Sequence, residues 1–583
     1  MKRTCLLLFP LILASCIGCS NNQEKKNVTS SSFVFGAPAM YKYEQQSKFN
    51  KEEVNKEINI SAAKNEYEPA QIIISANDEE INNYNVEASD LTSKEGNTIA
   101  KSNISLYSAY YNSISNSLNG YPAGYYPDIL IPLKDRIAYG DNKVAKNEIQ
   151  SIWFSIYVPS DAKSGEYSGN FKVTFNDKSE EIPVKLNVYD FTLPEETHAK
   201  TAFAIWGPTY GNDMLSVIYG KKAKAAENSY YEFLLKYRVA GTSLPNIDLS
   251  TVNNWVEQAV EYASRKDVPC FTLPFRIVDN DKYAESRWFD EAFMHDVLCG
   301  LVDKSTSLFN LFDKVYAYGI VDEPDYTNQV DKAKDYTETL KNIINQVISE
   351  KDFTGKENVK EGLKNLRIII TLCDWDHDVL NELGDQINCY CPKFYLFDNE
   401  ENVKEFEELA KKGVGIWAYG CNIPGWPYPT YQVDADLFSP RSVGILQMKY
   451  NIEGNLFWCA NVGRVYNGSQ YTDVWDPYKT AYAFAAYPGD GYVVVQAGKY
   501  NTKTINPYPT MRLEMIREGQ EDYEYLYMLK DLASKKGESA IKAIEEKLNN
   551  EYNKVFDGAK PTEDPSNMEA FKETIASLIL ENK

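Results

Sequence analysis

The hydrophobic pattern of the chain changes near residue 195, and this change constrains the fold more than any other feature. Before it, apolar side chains recur at every second position in short runs, as with Ile152, Phe154 and Ile156. This period is typical of strands that bury one face, and turn-forming residues separate the runs. We therefore expect residues 33–195 to form a β-sandwich domain.

After residue 195, short apolar runs alternate with amphipathic helical patterns. Eight strand–helix units predict a (β/α)8 TIM-like barrel over residues 196–535. The alternative is an open doubly wound sheet, but no glycine-rich phosphate turn follows its first strand. Two amphipathic segments then predict a C-terminal helical extension over residues 536–583. The predicted barrel strands are Thr201–Trp206, Thr242–Ile247, Val268–Ile277, Lys314–Asp322, Arg367–Asp374, Ile387–Leu396, Gly413–Tyr419 and Gly454–Asn461.

The N-terminus has the pattern of an export signal. Lys2 and Arg3 precede an apolar run at 6–13 that is too short to span a membrane. The sequence Leu-Ala-Ser-Cys that ends at Cys16 resembles a bacterial lipobox; Cys19 is a poorer second candidate, and a plain secretory signal is the alternative. We expect a signal peptide at 1–15, and lipidation of Cys16 within a tether at 16–32. The protein would then be an exported lipoprotein, periplasmic or on the outer-membrane surface, held to the membrane by its lipid anchor.

The composition excludes several classes of function. The 583 residues include 61 Lys and Arg against 83 Asp and Glu, a net charge of −22, which argues against binding to a nucleic-acid backbone. Only three histidines are present, and no P-loop, HExxH or GxSxG element occurs. The acidic run at 374–378 lacks the glycine and glutamate of a calcium loop. We therefore expect no metal and no cofactor.

The fourth predicted barrel strand ends in two adjacent carboxylates followed by a proline, Asp322-Glu323-Pro324. Barrel active sites lie at the C-terminal strand ends. Two carboxylates held close together separate their pKa values, so that one can stay protonated near neutral pH beside an ionised partner. That is what general acid catalysis needs. The alternative is that the acids only cap the next helix and interact with its dipole.

Other predicted strand ends carry side chains suited to a sugar. Aromatic faces pack on the C–H face of a sugar ring, and amides or carboxylates bind its hydroxyls. Packing is the alternative explanation for about half of these aromatic residues, because aromatic side chains dominate cores as well. The candidate substrate-binding residues are Tyr318, Asp374, Trp375, Tyr395, Trp417, Tyr419, Trp458 and Asn461.

Three stretches together resemble glycoside hydrolase family 123, the β-N-acetylgalactosaminidases. They are the tyrosine-rich strand that ends in Asp322-Glu323-Pro324, the late segment 512–526 that begins Arg-Leu-Glu-Met-Ile-Arg-Glu-Gly, and the segment 158–169. The resemblance covers nearly all of the mature chain. It implies retaining, substrate-assisted hydrolysis, in which the 2-acetamido oxygen of the sugar attacks the anomeric carbon. By position, Asp322 would hold the acetamido N–H, and Glu323 would protonate the leaving oxygen and then activate water.

The sequence therefore leads to the prediction of a retaining exo-β-N-acetylgalactosaminidase that acts on glycans with a terminal β-linked N-acetylhexosamine. Two alternatives stay open. One is a hydrolase of another β-N-acetylhexosaminide, and the other is a non-catalytic surface glycan-binding protein, although a pure binder does not need an adjacent acid pair.

Overall fold

The computed structural model describes residues 32–583 apart from residues 78, 118–119, 209–212 and 284–286. The predicted signal peptide and the lipidation site Cys16 lie outside the described residues. Among the residues that are described, no helix is both long and apolar enough to cross a membrane.

The N-terminal domain is rich in β-structure and contains two sheets. One has the strand order β1-β3-β9-β7-β8, and the other has the order β2-β11-β10-β5-β6, with β4 paired to β10. The elements are β1 (Phe33–Pro38), β2 (Ile58–Lys64), β3 (Glu66–Ser75), β4 (Tyr84–Ala88), β5 (Leu91–Ser93), β6 (Thr98–Ile99), β7 (Ile104–Ile114), β8 (Gly124–Pro132), α1 (Leu133–Tyr139), β9 (Ile149–Val158), β10 (Gly165–Phe175) and β11 (Lys178–Thr192).

One buried cluster joins the two sheets and includes Ile152 and Phe154 of β9 with Phe171 of β10 and Ile182 of β11. The period of two predicted this inward face. The opposite face of β9 is buried as well, because Ser155 donates a hydrogen bond to Glu514 from the far end of the chain at 2.7 Å. The β-rich domain is therefore attached firmly to the C-terminal half of the chain.

The central region alternates short strands with helices. Its strands are β12 (Lys200–Phe203), β13 (Phe271–Thr272), β14 (Ile277–Asp279), β15 (Arg287–Phe289), β16 (Val315–Tyr316), β17 (Ile369–Leu372), β18 (Cys389–Pro392), β19 (Gly415–Ile416), β20 (Ala418–Tyr419), β21 (Gly454–Phe457), β22 (Arg464–Tyr466), β23 (Tyr471–Val474), β24 (Val494–Val495) and β25 (Tyr508–Pro509). Its helices are α2 (Met214–Tyr219), α3 (Ala223–Leu235), α4 (Val252–Ala263), α5 (Glu291–Lys304), α6 (Pro324–Thr327), α7 (Val330–Glu350), α8 (Glu357–Lys364), α9 (His377–Leu383), α10 (Glu400–Lys411), α11 (Phe438–Lys449) and α12 (Met511–Lys536).

The parallel strands of this region form three separate sheets, β12-β21-β20, β13-β16 and β17-β18-β19, and not one closed sheet. The run predicted as the second strand, 242–247, contains no strand, although Phe203 forms a parallel bridge with Gly241. Other backbone contacts connect the sheets. The amide of Thr272 donates to the carbonyl of Thr242 at 2.8 Å, and Ala317 forms a parallel bridge with Ile368.

The C-terminal region is helical, as predicted, and consists of α13 (Glu538–Val555), the short pair β26 (Phe556–Asp557) and β27 (Lys560–Pro561), and α14 (Ser566–Asn582). Both helices pack on α12. Helix α12 also crosses α11 very closely, because a Cβ added at Gly444 would lie 1.8 Å from the carbonyl oxygen of Gly519. This contact explains why α11 and α12 each have a glycine where they cross.

Candidate active site

The predicted acid pair lies in the turn that follows β16. Ala317 forms a parallel bridge with Ile368, the residue before β17. Pro324 then begins the one-turn helix α6. Between them, Glu323 adopts a left-handed backbone conformation with φ of 45°. A non-glycine residue in this region is strained by about 1–2 kcal/mol, and such strain persists where surrounding contacts hold it, most often at functional sites.

Asp322 is exposed on one side and held on the other. Its Oδ1 atom accepts hydrogen bonds from the hydroxyls of Tyr318 at 3.2 Å and Thr371 at 2.8 Å. The surrounding protein desolvates the carboxyl group, and the charge of Glu323 adds to this effect, so the pKa of Asp322 is raised above its usual range. The Asp322 side chain is nevertheless exposed to solvent.

Glu323 is also held through a single carboxylate oxygen. Its Oε1 atom accepts a hydrogen bond from the hydroxyl of Tyr419 at 2.5 Å and lies 3.4 Å from Nζ of Lys393. Burial raises the pKa of Tyr419 well above its usual value, so the phenol keeps the proton that it donates. No hydrogen bond to Oε2 connects it with any described residue, which leaves this oxygen available to a substrate.

Thr371 joins the two acids. Its hydroxyl donates to Oδ1 of Asp322 and accepts from the backbone amide of Glu323 at 2.8 Å. The residue is fully buried in β17, the strand next to the acid pair. One hydroxyl therefore positions one carboxylate directly and the other through its backbone.

Lys393 is a functional candidate that the sequence reasoning missed. It follows β18 directly, and only 9% of its side chain is exposed. Burial disfavours its charge, but Cys421 and Glu323 outweigh burial and raise the pKa of Lys393. Burial also raises the pKa of Cys421 to about 12, so the thiol is neutral near pH 7 and Glu323 is the effective partner. The signal was present in the sequence, because a lysine stands at the C-terminal end of an apolar strand.

Of the predicted substrate-binding residues, Tyr318 and Tyr419 contact the acid pair directly. Two others lie close to the pair through neighbouring loops. Tyr395 donates to the carbonyl of Cys373 at 2.7 Å, and Asp374 is exposed beside α6, where its amide donates to Asp325 at 2.9 Å.

Trp375 and Trp417 differ from the prediction, because the structure places both in packing. Trp375 is buried, donates through Nε1 to Glu405 at 2.7 Å and contacts the ring of Phe406. Trp417 is 1% exposed, and its ring lies 5.0 Å from that of Tyr316 among the inward-facing strand residues. Among the described residues, neither indole makes a hydrogen bond to Asp322 or Glu323.

Asn461 also has a structural role instead of the predicted sugar contact, because its amide group bonds the backbone of Trp206. Its Oδ1 accepts from the Trp206 amide at 2.8 Å, and its Nδ2 donates to the Trp206 carbonyl at 3.3 Å. Trp458 is partly exposed and packs edge-to-face on the Trp206 ring at 5.2 Å. Its Nε1 donates to Asp490 at 2.8 Å, an acid that the sequence reasoning did not consider.

The late segment with two arginines connects the domains and does not line the acid pair. Arg512 makes a bidentate pair with Asp128 of β8, at 2.8 Å through both nitrogens. Glu514 accepts from Ser155 of β9 at 2.7 Å and from Tyr237 at 3.0 Å. These buried, satisfied pairs fix α12 against the β-rich domain.

Comparison with known proteins identifies the family on both halves of the chain. The profile of the glycoside hydrolase 123 N-terminal domain matches residues 38–175, and that of the glycoside hydrolase 123 catalytic domain matches residues 207–529. A comparison with curated protein sequences finds no match.

Among solved structures, the chain is similar to a family 123 glycoside hydrolase from Clostridium perfringens, described in work on glycolipid glycan hydrolysis. The identity is 17%, the match covers 94% of this chain and 98% of that chain, and the TM-score is 0.65. A fimbrial subunit, MyfA of Yersinia enterocolitica, matches at 16% identity over 27% of this chain and 98% of its own, with a TM-score of 0.14. A β-glucuronidase of Parabacteroides merdae matches at 8% identity over 79% of this chain and 50% of its own, with a TM-score of 0.25. The last two scores are too low to carry an argument.

The catalytic-domain profile spans more than half of the chain and includes the acid pair, and the match to the clostridial enzyme shows the same multidomain fold. The protein is a hydrolase, and the chain belongs to glycoside hydrolase family 123.

Proposed function

We propose that the protein is a retaining exo-β-N-acetylgalactosaminidase that uses the 2-acetamido group of its substrate as the nucleophile. The observation that carries the proposal is the arrangement of Asp322 and Glu323. Each acid has one carboxylate oxygen held by the protein, while no hydrogen bond from a described residue occupies the other. Two adjacent carboxylates with one open oxygen each suit one acid that orients the acetamide and one that transfers a proton.

In the first step, Oδ2 of Asp322 accepts a hydrogen bond from the acetamido N–H and turns the carbonyl oxygen towards the anomeric carbon. That oxygen forms a bond to the anomeric carbon as the glycosidic bond breaks, and Glu323 gives its proton to the leaving oxygen. The raised pKa of Asp322 makes it able to take the N–H proton and leave a neutral oxazoline. Tyr419 and Lys393 stabilise the carboxylate that Glu323 becomes.

In the second step, the Glu323 carboxylate takes a proton from water, and the water oxygen attacks the anomeric carbon. The bond from the acetamido oxygen to that carbon breaks, and Asp322 returns its proton to the nitrogen, so the acetamide is restored and the configuration is retained. No protein nucleophile is required, which distinguishes the scheme from the usual pair of carboxylates in retaining glycosidases.

The glycan portion of a glycolipid is the substrate that we propose, in line with the hydrolysis described for the clostridial enzyme. For the location, we propose export and lipidation at Cys16, which rests on the lipobox-like sequence. For the central region, we propose a (β/α)8 barrel. Parallel backbone contacts run in chain order from β12 to β21, and the pairing of β21 with β12 returns to the start.

The decisive experiment measures turnover of 4-nitrophenyl glycosides of β-GalNAc and β-GlcNAc by the wild type, Asp322→Asn and Glu323→Gln. We expect both variants to lose most of the activity on β-GalNAc. The control is Asp325→Asn, an acid in the same turn whose replacement keeps an acceptor for the Asp374 amide and should keep most activity. Full activity in either dyad variant contradicts the assignment of roles. A preference for GlcNAc supports the other hexosaminidase function, and binding without turnover by the wild type supports the glycan-binding function.

A second experiment tests acetamide participation alone. Fluorination of the acetyl group weakens the carbonyl oxygen as a nucleophile, so kcat should fall with each added fluorine, and a thiazoline analogue of the oxazoline should inhibit strongly. A kcat that does not change across the fluorinated series would rule out participation while leaving hydrolase activity intact.

A further inference from the structure

A cluster of side chains on two packed helices, away from the acid pair, has the composition of a transition-metal site. His295 and Cys299 lie four residues apart in α5 and therefore share one helix face. Glu350 is the last residue of α7, which packs on α5. One nitrogen, one sulfur and one carboxylate oxygen from these residues lie within 4.8 Å of one another.

Neighbouring groups already orient two of the three donors. Nδ1 of His295 lies 3.0 Å from the Asp296 carboxylate, which leaves Nε2 to face the cluster, 2.8 Å from Oε2 of Glu350 and 3.9 Å from Sγ of Cys299. Gln346 donates to Oε1 of Glu350 at 2.8 Å, so Oε2 is the oxygen turned inward. A carboxylate behind a histidine and a hydrogen bond behind a carboxylate are the outer contacts that metal ligands have.

The local charge favours a cation. Three acids, Glu350, Asp303 and Asp296, act on the Cys299 thiol, against the opposing charge of Lys351. A bound divalent ion would replace the thiol proton and compensate the carboxylates.

We propose that His295, Cys299 and Glu350 bind one divalent ion of the zinc class, with water completing a tetrahedral site. Nitrogen, thiolate and carboxylate together are ligands for zinc and its neighbours, whereas calcium and magnesium take oxygen ligands only. On binding, the thiol proton and any second proton on His295 pass to solvent. The site does not include Asp322 or Glu323, so the ion joins α5 to α7 and has no part in the proposed hydrolysis.

The test uses the full chain after treatment with a chelator and titrates Zn²⁺ in competition with a chromogenic chelator. We expect one tightly bound ion in the wild type and no bound ion in Cys299→Ser or His295→Ala. Asp296→Asn should bind the ion with roughly 10-fold lower affinity. Cys421→Ser and His377→Ala are matched controls that remove another free thiol and another histidine, and both should bind as the wild type does.

Co²⁺ gives an independent readout, since a thiolate ligand produces an intense near-ultraviolet charge-transfer band. The band should appear with the wild type and be absent with Cys299→Ser, and Zn²⁺ should raise the unfolding temperature of the wild type but not that of Cys299→Ser. Glu350→Gln is a further variant that should fold normally, because the side chain is 45% exposed. No stoichiometric Zn²⁺ in the wild type, or equal binding in Cys299→Ser and His295→Ala, would overturn the proposal.

Discussion

Replacement of Asp490 by asparagine tests whether a buried acid behind Trp458 lowers stability near neutral pH. Asp490 is 2% exposed. Its Oδ1 accepts from Trp458, and its Oδ2 has no hydrogen-bond partner among the described residues. Burial raises its pKa from 3.8 to about 7. Asparagine keeps the shape and the Oδ1 acceptor but cannot ionise, so the variant isolates the effect of the charge.

The size and sign of the effect follow from proton linkage. Below pH 4 Asp490 holds its proton in both the folded and the unfolded state, so its ionisation does not change the free energy of unfolding. Between pH 4 and 7 the unfolded state ionises while the folded state does not, so the free energy of unfolding of the wild type falls relative to that of Asp490→Asn. Above pH 7 the difference is constant. The pKa of Asp490 differs by about three units between the unfolded and the folded state, which corresponds to about 4 kcal/mol at 1.36 kcal/mol per unit.

The assay is urea unfolding of the wild type and Asp490→Asn at intervals from pH 4 to pH 8. In Asp490→Asn the new amide nitrogen takes the place of the unpartnered oxygen and is itself buried without a partner. This lowers the free energy of unfolding of the variant by about 1–3 kcal/mol at every pH. The informative quantity is therefore the growth of the difference between pH 4 and 7. Asp473→Asn, in the exposed part of β23, should show no such growth. A difference for Asp490→Asn that stays constant across this range would refute the reasoning.

Three further predictions concern the acid pair and the helix crossing. Tyr419→Phe removes a charge-assisted hydrogen bond to Glu323 and should lower kcat about 10- to 100-fold; steady-state kinetics that change KM alone would contradict this role. Glu323→Gly should be about 1 kcal/mol more stable to urea than Glu323→Ala, because only glycine relieves a φ of 45°, and the opposite order would mean that the turn is not strained. Gly444→Ala should lose about 3 kcal/mol or more in the same assay, because the new methyl group would meet the Gly519 carbonyl; wild-type stability would show that the helices can separate at no cost.

The rule that strand ends carry function predicts a site at the acid pair, and applied more widely it predicts Thr371 and Lys393 as well. Both lie at the C-terminal ends of short apolar runs, and both contact the pair. The rule works because parallel strands bring their C-terminal ends to one side of the fold. An expectation of aromatic sugar contacts at these positions leaves out the polar side chains that hold the acids.

The depth of a residue along its strand was not predictable. Trp417 and Tyr419 are two residues apart and therefore face the same way. Tyr419 reaches Glu323, whereas Trp417 lies one layer below, against Tyr316. A shift of about 7 Å along one strand separates a core residue from a site residue, and the pattern of apolar residues does not contain that distance. The contact between Trp458 and Asp490 was also not predictable, because the two residues are distant in sequence.

The strained backbone at Glu323 is held by several independent contacts. Thr371 bonds its amide, Tyr419 and Lys393 hold its carboxylate, and Pro324 fixes the next residue at the start of α6. These contacts come from β17, β20 and the end of β18, so three neighbouring strands must keep their register for the turn to exist. A general acid on a relaxed turn would change direction as its own rotamers change. Strain held by three strands instead gives the carboxylate one direction, and the free energy of packing in the surrounding strands supports it.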